Sequence, residues 1–164
     1  MKKIFLISAL LIPIITLSQS NLEYKTTEVT QYWTENPEEG APIKVIGTLK
    51  YLEKDEEEMW SYLGEFGLEF AHNEWKDGVW KVFYESGKIK WFRYYENGIR
   101  VVAIRFTKEG KENGFWSWHN GQKNGVWKKR CSNGQLTELT NWDMGTIISQ
   151  KCWDCKGIKI QCDK

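Results

Sequence analysis

Apolar and polar positions alternate in short blocks along most of the chain. Trp80, Val82 and Tyr84 fall on one face of an extended segment, and Val79, Lys81 and Phe83 fall on the other. Ile89, Trp91 and Tyr95 share a face of the segment that follows. Period two with aromatic and β-branched residues predicts strands. After the first twenty residues no long apolar stripe recurs at helical spacing. The pattern therefore predicts an all-β protein, an elongated antiparallel sheet of stacked β-hairpin repeats preceded by a signal peptide.

Glycines and aromatics repeat at fixed offsets. Gly78-Val79-Trp80 aligns with Gly125-Val126-Trp127. A glycine follows nine positions after the first one, at Gly87 and Gly134, and an aromatic seventeen after it, at Tyr95 and Trp142. The next unit opens twenty on, at Gly98 and Gly145. A shift back by twenty places a third copy on Trp60, Gly67 and Trp75. Trp33 and Gly40 mark an eroded first copy. Between Gly98 and Gly125 the spacing is irregular, and Gly114-Phe115-Trp116 opens a shorter unit turning at Asn120-Gly121. Self-similarity of this kind is the signature of a repeat array. The expected organisation is a signal peptide over 1–20, a degenerate repeat and loop over 21–57, hairpin repeats over 58–145 and a Cys-rich terminal hairpin over 146–164.

Asx-Gly pairs supply the expected turns: Asp77-Gly78, Asn97-Gly98, Asn113-Gly114, Asn120-Gly121, Asn124-Gly125 and Asn133-Gly134. Type I′ turns need positive φ at both central residues, which Gly reaches freely and Asn or Asp tolerates. A lone hairpin is marginal in water. Docking hairpins edge to edge gives each a neighbour, so the expected repeat core is Trp60, Gly67, Trp75, Gly78, Trp80, Gly87, Tyr95, Gly98, Gly114, Trp116, Gly125, Trp127, Gly134 and Trp142.

The stretch from Asp77 through Lys88, continuing to Tyr95-Glu96-Asn97-Gly98, resembles the bacterial variant of the MORN repeat, sometimes labelled antitoxin-like. Asn124-Gly125-Val126-Trp127 with Asn133-Gly134 repeats it. The resemblance covers about residues 58–145 and fades over 31–57. It implies a ribbon of β-hairpins and a role in protein or lipid contacts. It carries over no catalytic residues.

The N-terminus changes the setting. Lys2 and Lys3 precede an apolar run from Ile4 to Leu17, with small residues at Ser18 and Ser20. This is a secretory signal pattern, cleaved after Ser18 or Ser20. The run is shorter than the roughly 20 apolar residues of a membrane span, and no Cys ends it, so no lipoprotein anchor is expected. Cleavage lowers the basic count from 23 to 21 against 22 acidic residues, and the formal charge from +1 to −1. A near-neutral chain has no general attraction for nucleic acid. The run from Glu53 to Glu58 reads as a solvated loop.

Four Cys, at 131, 152, 155 and 162, enter an oxidising compartment in an exported chain. They allow three pairings. A terminal hairpin turning near Lys156-Gly157 brings Cys152 to Cys162, which leaves Cys131 for Cys155. A redox reading of Cys152-Trp153-Asp154-Cys155 needs a thioredoxin-like context that is not visible. A four-Cys zinc site lacks the matching second spacing. His72 and His119 have no partner at metal-ligand spacing, and Glu65, Glu69 and Glu74 have no specified cleft. No catalytic, cofactor or metal site is therefore expected. The expected role is an exported scaffold that binds a protein. The alternative is a glycan-binding module using an exposed aromatic strip, with Trp91, Trp116 and Trp118 as the candidate surface beside the repeat residues Trp80 and Trp127.

Overall fold

A computed structural model describes residues 23–34 and 41–162. The expected signal peptide and its cleavage sites lie outside the described residues, as does Gly40. The described chain forms one antiparallel sheet. Its strands are β1 (Tyr24–Tyr32), β2 (Ile43–Leu52), β3 (Lys76–Phe83), β4 (Ile89–Glu96), β5 (Ile99–Phe106), β6 (Glu112–His119), β7 (Gln122–Lys123), β8 (Gly125–Arg130), β9 (Leu136–Asp143), β10 (Thr146–Trp153) and β11 (Lys159–Ile160). Strands pair in chain order across the sheet, except that the short β7 pairs only with β6 and lets β8 take the next place. Apart from β6 with β8, every pairing joins chain neighbours, as expected of stacked hairpins.

Two turn types alternate. Asn97-Gly98, Asn120-Gly121 and Met144-Gly145 have positive φ at both residues and close two-residue turns. At the other end of the strands sit four five-residue loops, at 84–88, 107–111, 131–135 and 154–158. In each, the first residue's N–H donates to the carbonyl of the fifth, and the fourth residue, always Gly, donates back to the first. These glycines, Gly87, Gly110, Gly134 and Gly157, lie 23, 24 and 23 residues apart. The structural repeat is thus 23–24 residues, two strands with one turn of each kind. The segment between Gly98 and Gly125 keeps this period through Gly110 and Gly121. Only the inserted β7 distorts it.

Some Asx-Gly pairs serve a different purpose from the expected one. Asp77-Gly78 and Asn113-Gly114 lie within β3 and β6. The Asp77 carboxylate accepts a hydrogen bond from the Asn97 N–H (2.8 Å), and the Asn124 side chain accepts one from the Met144 N–H (3.3 Å). Each caps the two-residue turn of the hairpin beside it.

Residues 53–75 depart from the sequence expectation. They do not form a hairpin copy on Trp60, Gly67 and Trp75. Glu56–Phe66 is a helix, α1, followed by short 3₁₀ turns at Leu68–Phe70 and Asn73–Trp75. The acidic run expected to be a loop enters this helix. Glu56, Glu57 and Glu58 occupy its first turn, where carboxylates complement the helix dipole. Lys25 ties Glu53 and Glu56 back to β1 at 2.8 and 3.0 Å. Met59 and Leu63, one turn apart, point down with Leu68 onto Val29, Val45, Leu49, Tyr51, Trp80, Val82 and Tyr95. The main core is this helix-on-sheet contact over β1–β4. Trp60 and Trp75 pack at its margin. Gly67 ends the helix at φ 85 and ψ 162, a region open essentially to glycine alone, with its N–H on the Leu63 carbonyl.

Cys131 is bonded to Cys155 and Cys152 to Cys162, with Cα separations of 5.7 and 5.3 Å. This is the pairing selected by the terminal-hairpin reading. It leaves no thiol free for redox exchange or zinc. The first bond fastens the β10–β11 loop to the loop after β8, the second closes the terminal hairpin on itself, and both fit an oxidising extracellular or periplasmic compartment. Among the described residues no helix is long and apolar enough to cross a membrane.

Candidate functional site

Directly opposed residues in a ladder share a face, so the register assigns the side chains. One row runs Val82, Trp91, Arg105, Gly114, Lys129, Glu138 and Cys152. A neighbouring row runs Trp80, Arg93, Ala103 and Trp116. Both belong to the face that α1 covers over β1–β4. Past β4 the helix α1 no longer covers that face, and only the 3₁₀ turn at Asn73–Trp75 reaches the start of β5. The face carries Trp91, which packs at the edge of the core, and Trp116, Trp118, Trp127 and Trp142.

These indoles form two contact groups. Trp91 and Trp116 meet at 5.6 Å between centroids. Trp118, Trp127 and Trp142 form a chain, with successive centroids at 5.2 and 5.4 Å. All five are half-buried by their neighbours. The three expected surface residues, Trp91, Trp116 and Trp118, therefore do share one face. Trp80 does not join the strip. It is 3% exposed beneath the helical segment, its Nε1–H donating to the Thr48 carbonyl at 3.1 Å. Trp127, its repeat counterpart, donates likewise to the Ser117 carbonyl at 2.8 Å.

Two glycines make room for rings lying flat on the sheet. The Trp80 ring spans Gly47 and the Trp116 ring spans Gly114. At both positions a Cβ would occupy the space of ring atoms.

The sequence reading missed the cations between the rings. Lys76 sits 5.6 Å from the Tyr95 centroid, Arg100 4.1 Å from Trp118 and Lys123 4.3 Å from Trp142. These three cations are 24 and 23 residues apart, and so belong to the repeat. Arg93 and Arg105, from adjacent strands, both approach Trp91, at 4.9 and 5.7 Å. Cation–π attraction explains why each charge rests on a ring. The signal was the 23–24-residue period, which also relates Tyr95, Trp118 and Trp142.

This cluster has no acidic counterpart. Among the described residues none of Lys76, Arg93, Arg100, Arg105 or Lys123 forms a salt bridge. The Nε atoms of Arg93 and Arg100 are buried without a hydrogen-bond partner. Burial, and then the charges of Arg93 and Arg100, push the Lys76 pKa down to about 8. Further along the sheet two cations do find carboxylates, Lys129 on Glu138 at 2.6 Å and Arg130 near Glu112 at 3.9 Å.

His72 lies in the loop before Trp75 and stacks on that ring at 4.7 Å, and His119 ends β6. Glu69 pairs with Lys44, and Glu74 with His72. Among the described residues no three His, Cys, Asp or Glu side chains are placed to hold a metal. Compared with protein-family models, curated proteins and solved structures, the chain matches none of them.

Proposed function

We propose that the protein is an exported, non-catalytic scaffold whose uncovered sheet face holds a partner protein. The carrying observation is the strip from Trp91 to Trp142, left open where α1 stops. Aromatic and Arg side chains are the residue types that dominate protein interfaces. The resemblance of residues 77–98 and 124–134 to MORN-type repeats supports the same role. A sugar-stacking platform is the weaker reading. Stacking needs open indole faces, and Trp91, Trp118, Trp127 and Trp142 each already carry a cation over the ring.

The test is site-directed photo-crosslinking in the cells that make the protein. Benzoylphenylalanine placed at Lys123 lies on the indole face. Placed at Val126 it lies on the opposite face, since Val126 pairs with Asn141 while Trp127 pairs with Thr140. One defined protein joined from Lys123 and not from Val126, and reproduced with that purified partner, supports the proposal. Equal labelling from both faces, or none from Lys123, contradicts it.

A further inference from the structure

Resting on that reading, we infer that Arg93, Arg100 and Arg105, set between Trp91 and Trp118, recognise the carboxylates of an extended acidic segment of the partner protein. Four observations converge on this. First, the guanidinium groups come from neighbouring strands β4 and β5. They are braced on rings at 4.9, 4.1 and 5.7 Å for Arg93, Arg100 and Arg105, so their donors are held in place before any ligand arrives. Guanidinium forks match carboxylates in two parallel hydrogen bonds.

Second, no carboxylate of the described chain answers these charges, and the Nε groups of Arg93 and Arg100 lack any acceptor. Those two Nε–H groups are enclosed by the chain itself, so an incoming carboxylate would meet the outer edges of the guanidinium groups. Third, Lys76 adds positive charge on the same face, from β3 beside them. It is 5% exposed and stays close enough to Arg93 and Arg100 for each to disfavour its protonation. An anion bound above relieves this repulsion.

Fourth, the charge is local. Toward the far end of the sheet Lys129 and Arg130 find carboxylates, on Glu138 and Glu112, and the chain as a whole is near neutral. Membranes and polyanionic polymers are recognised by broad basic surfaces. A small basic cluster flanked by indoles suits a segment that alternates acidic and apolar side chains. Such a segment, when extended, places alternate side chains about 7 Å apart on one face.

Fluorescence anisotropy with the full chain, disulfides intact, tests this. The probe is a short fluorescein-labelled peptide of alternating Glu and Leu. The control has Gln for each Glu. The inference predicts that only the Glu peptide binds, and that added salt weakens it. Arg105→Gln should weaken binding roughly tenfold or more, with Arg105→Lys recovering part of the loss. Arg105 is exposed, so its variants keep the fold, and circular dichroism verifies this. Arg93→Gln is the second variant.

Equal binding of the Gln peptide, or no binding of the Glu peptide, overturns the inference. So does Arg105-dependent binding of phosphatidylserine vesicles or polygalacturonate in preference to the peptide. If the partner joined at Lys123 keeps its affinity for the Arg93→Gln and Arg105→Gln chains, the acidic-segment inference fails while the scaffold survives. If no partner reaches this face, both fail.

Discussion

The guanidinium carbon of Arg100 lies 4.1 Å from the ring centroid of Trp118, one repeat along from Lys76 over Tyr95 and one before Lys123 over Trp142. A double-mutant cycle with Arg100→Gln and Trp118→Leu measures the pair. Partial burial places its coupling at about 0.5–2 kcal/mol. Urea unfolding of the four chains gives the value. A coupling near zero would mean that the two side chains merely share space.

Backbone positions give sharp expectations. Gly47→Ala forces the Trp80 ring off its seat, and a well-packed core resists such overpacking by about 1–3 kcal/mol. The Trp80 bond to the Thr48 carbonyl should weaken with it. Met144 has the opposite outlook. It sits at φ 43 in a turn where Asn97 and Asn120 hold the equivalent place, and it is exposed. Met144→Asn should stabilise by up to about 1 kcal/mol, because Asn tolerates the left-handed region better. Denaturant midpoints check both changes.

The disulfides act locally in a repeat array. Replacing Cys152 and Cys162 with Ser opens a loop of 10 residues and should cost about 2–4 kcal/mol in the last hairpins. Energetics between nearest neighbours confine the effect. Hydrogen exchange should therefore speed up in β10 and β11 and stay unchanged in β3–β5. Loss of protection spread evenly over all strands would contradict the nearest-neighbour account.

Lys76 makes stability depend on pH. Its folded pKa is about 8, against an ordinary lysine value of 10.5, because burial and then Arg93 and Arg100 disfavour the charged form. Between these values the unfolded chain holds more protons than the folded one. Stability should therefore rise from pH 8 toward pH 10.5, by up to about 3 kcal/mol relative to Lys76→Met. Chemical denaturation of both chains across this window reads the difference. A bound anion should raise the Lys76 pKa, so affinity for an acidic segment should fall as pH rises above 8.

The strands and hairpin turns were legible because their determinants are local. Alternation around Trp80 and Trp91 and the Asn-Gly pairs at 97–98 and 120–121 carry their own geometry. The cysteine pairing followed from the same hairpin logic applied to 151–162. The helix was not legible, since it buries just Met59 and Leu63, and its remaining stabilisation comes from the sheet beneath. Trp60 stands twenty residues before Trp80 without sharing its environment. The indole face was legible as candidates, because Trp91, Trp116 and Trp118 fall in phase. The cations were not. Met144 stands where Asn marks the other turns, Gly110 lies in a charged Lys-Glu-Gly-Lys loop, and together these hide the 23–24-residue period that groups Lys76, Arg100 and Lys123. The meeting of Arg93 and Arg105 over one ring depends on strand register, which spacing alone does not fix.

The chain's ten tryptophans are built-in reporters of where a partner sits. The most direct measurement follows their indole N–H resonances in a nitrogen-15 spectrum during titration with the Glu-Leu peptide. The signals of Trp91, Trp116 and Trp118 should move together and saturate, while those of Trp33, Trp60, Trp80 and Trp153 stay fixed. Shifts confined to the helical end or the terminal hairpin, or a spectrum unchanged at saturating peptide, would contradict an indole–guanidinium face built to receive an acidic chain.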